Sequence, residues 1–241
     1  MCAERLLGTA EHLVAVDLEA PSLAGAIGVA CDVSDAAAVD DLVGRVRALG
    51  PFRSLAHVAG ISPTMGDPRR IFEIDLVGTQ LLLDGFEQLV APGSAAVCWA
   101  SSSAYQVGAD PELDALVEDP TTAGFLDRVA ARFTDSGVAY SWAKRGVIRA
   151  AGRASIGWGR RGGRVNSISP GIIETPQAQQ EMAAHPIMQV MLDHTPLGRF
   201  GRAEEVAALA AFLLSDDASF VSGVDILADG AMMQGMRAAR T

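Results

Sequence analysis

Lysine is all but missing from this chain of 241 residues. Lys144 is the only one, and the rest of its 19 basic residues are arginine. Arginine is a planar, permanently charged fork, whereas lysine is a compact point charge on a flexible stem. A solitary lysine among arginines therefore marks a position that arginine does not serve. Tyrosine is nearly as scarce, with only Tyr105 and Tyr140. One of them stands four residues ahead of the lysine, in Tyr140-Ser141-Trp142-Ala143-Lys144. Alone, the pair also fits an ordinary surface helix, so its surroundings decide.

Other scarcities exclude whole classes. Aromatics make up 5% of a chain that is 49% apolar, so the core must be aliphatic. Cys2, Cys31 and Cys98 are scattered and odd in number, with no CxxC pair and no Cys/His cluster. That excludes a zinc-type site or disulfide framework; reduced thiols and no metal are expected. Positive charge is in deficit, at a net −10, which argues against nucleic acid and anionic membranes as partners. The apolar stretch from Val206 to Leu214 is far too short to span a bilayer. Met1 to Arg5 shows no basic leader ahead of an apolar core, so a cytoplasmic protein is expected.

What remains alternates strand and helix. Short apolar runs at Leu13–Val16, Gly28–Cys31, Ser54–Val58, Ala95–Ala100, Arg164–Ile168 and Val224–Ala228 read as strands buried on both faces. Apolar stripes at helical spacing lie between them. Examples are Val39, Leu42, Val43 and Val46, or Phe72, Leu76, Thr79, Leu83 and Phe86 in one long helix. Residues from Tyr140 to Ile156 and from Ala203 to Leu214 also read as helices. This order predicts one α/β domain over 1–241, with a doubly wound parallel sheet and right-handed crossovers. Ligands in such sheets bind beyond the carboxyl ends of the strands. Asp17, Asp32, Gly60, Ser102 and Pro170-Gly171 stand there, although turns favour these residue types in any case.

Four residues on a helix put Tyr140 and Lys144 on nearly one face. An ammonium beside a phenol favours the phenolate, which moves tyrosine toward acid–base work at neutral pH. Ser102, ending a neighbouring strand, offers a hydroxyl to hold a carbonyl or alcohol oxygen against the tyrosine. Together these groups can move a proton on an oxygen while a hydride moves on its carbon.

With Asn166-Ser167-Ile168-Ser169-Pro170-Gly171-Ile172-Ile173-Glu174-Thr175-Pro176 and Pro196-Leu197-Gly198-Arg199-Phe200-Gly201, the chain resembles a short-chain dehydrogenase/reductase from about Leu13 to Gly230. The resemblance implies a Rossmann-like fold, catalysis by Ser102, Tyr140 and Lys144, and a nicotinamide cofactor. It implies that Pro170, Gly171, Ile173 and Thr175 hold the nicotinamide end, beside Tyr140 and Lys144. Asp17 matches the carboxylate that binds the adenosine ribose, Asp32-Val33 the adenine pair, and Ala59-Gly60 a close backbone contact. No arginine follows Asp17 in Leu18-Glu19-Ala20, so NAD(H) is expected over NADP(H).

The chain departs from the family pattern in four places. The first strand and its glycine-rich, phosphate-cradling turn are lacking, and Met1–Ala10 aligns with the helix that would follow them. That strand would lie mid-sheet, between the strand of Asp17 and that of Gly60, so two inner edges are expected to be bare. A sequence shortened at its start is the preferred account; the alternative is a chain that has lost cofactor binding. His57-Val58 replaces a pair of asparagines, and His57 is expected to be a structural hydrogen-bonder. Asp75 replaces an asparagine, either completing a proton relay from Lys144 or trapping its ammonium. A helical insert over 107–138 carries one helix opened by Asp110-Pro111 and a second capped by Thr122. A similar insert in bacterial 3α-hydroxysteroid dehydrogenase/carbonyl reductase, the nearest resemblance, implies a homodimer, with a tetramer as the alternative.

The segment 174–200 matches the substrate lid. Its Met182, Met188 and Met191 suit a lipophilic, steroid-like alcohol or ketone, although core packing explains them equally. The rival reading of the whole chain is a non-catalytic binding or scaffold subunit with impaired cofactor binding.

Overall fold

The computed structural model describes residues 2–175 and 187–239. The chain opens with helix α1 (Cys2–Leu6), strands β1 (Val14–Asp17) and β2 (Ile27–Ala30), helix α2 (Ala36–Leu49) and strand β3 (Ser54–His57). Helix α3 (Pro68–Phe72) passes through a π-helical turn (Glu73–Val77) into α4 (Gly78–Glu87). Strand β4 (Ala95–Trp99) ends in a 3₁₀ turn (Ser102–Tyr105), followed by α5 (Pro111–Leu116), α6 (Phe125–Arg132) and the long α7 (Ser136–Arg160). Strand β5 (Arg164–Pro170), α8 (Ile187–Asp193), α9 (Ala203–Leu214), β6 (Asp225–Ala228) and α10 (Met232–Ala238) complete it. Among the described residues no helix is long and apolar enough to cross a membrane. The lid residues from 176 to 186, Met182 included, lie outside the described part.

All strand pairs are parallel, as alternating strands and helices require. They form two sheets, β1-β2 and β3-β4-β5-β6. Among the described residues no strand joins β1 to β3, so the expected bare inner edges are present. β4 shows why the arrangement is doubly wound. Ala95 and Val97 face a core shared with Leu6 of α1 and Val206, Ala210 and Leu213 of α9. Ala96 and Cys98 face the opposite core, shared with Leu42 of α2, Leu83 of α4 and Val147 of α7.

The stripe from Phe72 to Phe86 is buried as expected, but it is not one regular helix. Gly78 N–H bonds back to Glu73 O, five residues away, which marks a π turn. Thr79 Oγ1 donates to Asp75 O at 2.6 Å, spending its only proton there. It therefore accepts the 2.9 Å bond from His57 Nε2, which fixes the proton on that nitrogen. His57 is thus the structural hydrogen-bonder expected, anchoring the π turn to the end of β3.

In the insert, Asp110 caps α5 through Glu112 N and Leu113 N, with Pro111 in the first turn. The cap expected at Thr122 is not there. Its hydroxyl bonds Asp119 instead, and α6 starts after Gly124, whose φ of 76° turns the chain. Phe125 and Phe133 pack on Phe72 with centroids 5.8 and 5.2 Å apart. Arg145 grips Asp114 in a fork at 2.6 and 2.9 Å, and Arg149 and Arg153 both reach Glu118. The insert is thereby fastened along one face of α7.

The buried face of α7 mixes small residues such as Ala143, Gly146 and Ala150 with Trp142, Val147 and Trp158. A Cβ added to Gly146 would stand 2.6 Å from Leu76 of the π turn. Gly146→Val is therefore expected to force Leu76 aside and cost about 1–3 kcal/mol, read as a lower urea midpoint. An unchanged midpoint would contradict the packing. Burial, and secondarily the nearby Lys144 charge, lowers the His57 pKa from 6.5 to about 3. The unfolded chain takes up a proton below 6.5 that the folded chain refuses, so stability present above that pH drains away toward pH 3. His57→Asn is expected to flatten this loss by up to ~1.4 kcal/mol per pH unit. Parallel stability–pH curves below pH 6 would rule this out.

Candidate active site

Helix α7 starts at Asp135, whose side chain accepts from Val138 N at 2.8 Å, a whole turn ahead of Tyr140. This cap sets the phase in which Ala139, Trp142, Ala143 and Lys144 turn inward. Tyr140 is half-buried and Lys144 is buried at 5% exposure. The ammonium lies 5.5 Å from the Tyr140 ring centroid. Lys144 Nζ donates to Trp99 O at 3.1 Å, which ties it to the end of β4. Three residues on, buried Ser102 opens the 3₁₀ turn that packs against α7. Ser101 Oγ caps this turn by accepting from Ser103 N.

The π turn presents Asp75, whose side chain is wholly buried, to the same ammonium. Oδ1 accepts from Ile61 N at 2.8 Å, while Oδ2 lies 3.4 Å from Nζ without the alignment of a hydrogen bond. Burial is the largest single influence and lowers the Lys144 pKa, but Asp75, Tyr140 and Cys98 together outweigh it and hold the lysine above its ordinary value. Burial pushes Asp75 up, opposed by Lys144 and the Ile61 N–H. Gly60 makes room for the pair, since a Cβ there would stand 3.0 Å from Nζ and 3.1 Å from Oδ1. Cys98 behind it is no nucleophile, because burial pushes its thiol up to about 12.

Asp17 ends β1 with an exposed carboxylate, one oxygen of which accepts from Leu18 N at 2.7 Å. Asp32 follows β2; its Oδ1 accepts from Ser34 N and Oγ, a bond that holds it below the usual carboxylate range. Val33 packs where α4 begins, against Gly78, and Ala59 is exposed. At the other end Pro170 closes β5, and Gly171 N donates to Ala228 O at 3.0 Å. A side chain at Gly171 would strike the Asp229 backbone. Ile173 bridges to Gly201, and half-buried Thr175 ends the described segment. Asp17 and Asp32 thus sit on one sheet, and Ser102, Pro170 and Gly171 on the other. These are the described groups that could hold the two ends of a dinucleotide. The described residues hold no glycine-rich turn for the diphosphate between them.

Tyr105, Ser167, Asp225 and Arg70 make contacts that escaped the sequence reading. Tyr105 OH donates to Asp225 Oδ2 at 2.7 Å, and Ser167 Oγ bonds Oδ1 of the same carboxylate. This clasp ties the Ser102 turn to β6; burial and Asp225 raise the Tyr105 pKa. The scarcity of tyrosine was the one available signal. Arg70 binds Glu73 at 2.7 Å and approaches Asp32 at 3.7 Å, linking α3 to the end of β2. A cavity of about 160 Å³ lies between Gly171, Ile173, Leu192 and Asp229; Ser102, Tyr140 and Lys144 do not line it.

The family profile described as enoyl-(acyl carrier protein) reductase matches residues 126–232. A short-chain dehydrogenase/reductase of Alternaria brassicicola is 33% identical over 196 residues, covering 77% of this chain and 70% of that one. The D-threitol dehydrogenase of Mycolicibacterium smegmatis is 32% identical over 213 residues, covering 84% and 72%. Among solved structures, the 3-alpha-hydroxysteroid dehydrogenase from Pseudomonas sp. B-0831 complexed with NADH superposes with a TM-score of 0.81 at 28% identity, covering 98% of this chain and 93% of that one. With the parallel α/β fold and the Tyr140–Lys144 helix, these matches place the chain in the short-chain dehydrogenase/reductase family of oxidoreductases.

Proposed function

We propose that the chain is an NAD(H)-dependent oxidoreductase interconverting a secondary alcohol and a ketone. One observation carries the reading: a buried, charged Lys144 one helical turn from half-buried Tyr140, beside the Ser102 turn. In the reducing direction Tyr140 gives its phenolic proton to the carbonyl oxygen, and in the oxidising direction it takes the hydroxyl proton. Lys144 favours the phenolate that this requires. Ser102 donates a hydrogen bond to the substrate oxygen and orients it. A bound nicotinamide dinucleotide supplies the hydride acceptor in one direction and the donor in the other. Asp17, Asp32 and Val33 would hold its adenosine half, Ala59 and Gly60 would lie against its middle, and Pro170, Gly171, Ile173 and Thr175 would hold its nicotinamide end.

The exposed Asp17 carboxylate, with no arginine in Leu18-Glu19-Ala20, supports NAD(H) over NADP(H). Met188 and Met191, from the described part of segment 174–200, pack with Met232, Met233 and Met236 as an apolar, adaptable wall. This wall, and the hydroxysteroid dehydrogenase among the structural neighbours, support a lipophilic, steroid-like substrate. The insert 107–138, fastened over one face of α7, supports a homodimer rather than a tetramer. Free cysteines at 2, 31 and 98 support a reducing cytoplasmic setting.

A second reading, a non-catalytic binding subunit, is favoured by the separation of β1-β2 from β3-β4-β5-β6 among the described residues.

Tyr140→Phe is expected to lower kcat for an NADH-dependent ketone reduction by about 10²–10⁴ while leaving the melting temperature unchanged. Full turnover in that variant would end the mechanism. Asp17→Ala is expected to erode the NAD(H)-over-NADP(H) preference about tenfold, the worth of a charged hydrogen bond. Saturating NAD(H) is expected to raise the melting temperature. No shift, together with no turnover, would select the second reading.

A further inference from the structure

We propose that Asp75 is a tuning and positioning residue of the Tyr140–Lys144 pair, its buried carboxylate offsetting the lysine charge so that Tyr140 ionises at higher pH than the lysine alone would set. The inference rests on the assignment of Tyr140 and Lys144 to one site. It commits to a role that the sequence leaves open between relay and trap.

The geometry argues for a carboxylate rather than a neutral acid. Oδ1 is taken by the Ile61 N–H at 2.8 Å. Oδ2 has no hydrogen-bond partner, and the ammonium is 3.4 Å away. A proton on Oδ2 would point toward a cation and find no acceptor, so protonation would create an unsatisfied donor beside a like charge. Left ionised, the carboxylate neutralises the ammonium at short range where little water screens it. The phenolate of Tyr140 is attracted by Lys144 but repelled by Asp75, and the two effects oppose each other.

Among the described residues no other nearby group supplies that offset. The titratable groups acting on Lys144 are Asp75 from the π turn, Tyr140 from α7 and Cys98 from β4, with His57 of β3 also close enough to sense it. Cys98 and His57 are fully buried and neutral at ordinary pH, the thiol being pushed up to about 12 and the imidazole down to about 3. Among the described residues Asp75 is therefore the one counter-anion whose removal changes the net charge around the ammonium.

Scarcity of tyrosine makes the proposal measurable without substrate or cofactor. Ultraviolet titration of tyrosinate in this chain reports two groups, and Tyr140→Phe identifies which step belongs to Tyr140. Tyr105, bonded to Asp225, titrates at higher pH than an ordinary tyrosine. Asp75→Asn is expected to move the Tyr140 step down by about one pH unit, a tenfold change in ionised fraction at a given pH. Asp75→Glu, which keeps the charge, is expected to restore the wild-type step. If the asparagine variant fails to fold, Asp75→Ser carries the same expectation. A Tyr140 step that is unmoved or raised in the folded neutral variants would overturn the proposal. An enzyme active on ketones with an unmoved step would lose this inference alone. A moved step in a chain with no turnover would leave it standing and defeat the oxidoreductase reading.

Discussion

A lysine ammonium taken out of water is the constraint around which the rest is built. Placing a charge in the interior costs several kcal/mol unless opposite charge and hydrogen bonds meet it there. Lys144 is met by the Asp75 carboxylate, by Trp99 O and by the space that Gly60 leaves open. Each partner belongs to a different element. The π turn supplies Asp75, the end of β4 supplies the carbonyl, and the loop after β3 supplies both Gly60 and the Ile61 N–H. Satisfying one charge therefore fixes the mutual position of the elements that hold the candidate site. The π turn gains a reason to exist, since it is stabilised by Thr79 and His57 and delivers the carboxylate at that spot.

Helix α7 is held from both sides so that this contact stays in register. Its small inner residues let Leu76 approach Gly146 closely. On its outer side Arg145, Arg149 and Arg153 recur at one-turn spacing and bind Asp114 and Glu118 of the insert. Beneath that polar ladder, Phe72, Phe125 and Phe133 join the insert to the central helices through apolar contact. The clasp of Tyr105 and Ser167 on Asp225 performs a similar duty for the Ser102 turn, at the far edge of the sheet.

The two halves of the candidate site are joined differently. Asp17 and Asp32 stand on the β1-β2 sheet, while Ser102 and the Pro170-Gly171 segment stand on the four-stranded one. No backbone ladder runs between the sheets among the described residues. Their connection is a shared apolar core, in which Val14, Val16 and Val29 meet Val39, Leu55 and Leu82. Side-chain packing of this kind sets distance less strictly than strand pairing. The end that bears Asp17 and Asp32 is accordingly the less firmly indexed part of the candidate site.

Much of this was legible in the residues because it is local. Short apolar runs ending in aspartate or glycine gave the strands, Ala203 to Leu214 gave its helix with both ends correct, and Asp110-Pro111 gave the start of α5. The four-residue spacing alone put Tyr140 and Lys144 on one face, since helical geometry needs only neighbours. The resemblance had already set Asp75 against Lys144, but the π turn that carries it, the start of α6 after Gly124 and the clasp on Asp225 came only with the tertiary structure. Each depends on groups far apart in sequence meeting where water is excluded, and neither propensity nor periodicity carries information about such meetings. The chain's own order of residues thus determined the elements and the chemistry available. Folding decided which charges had to be compensated, and by what.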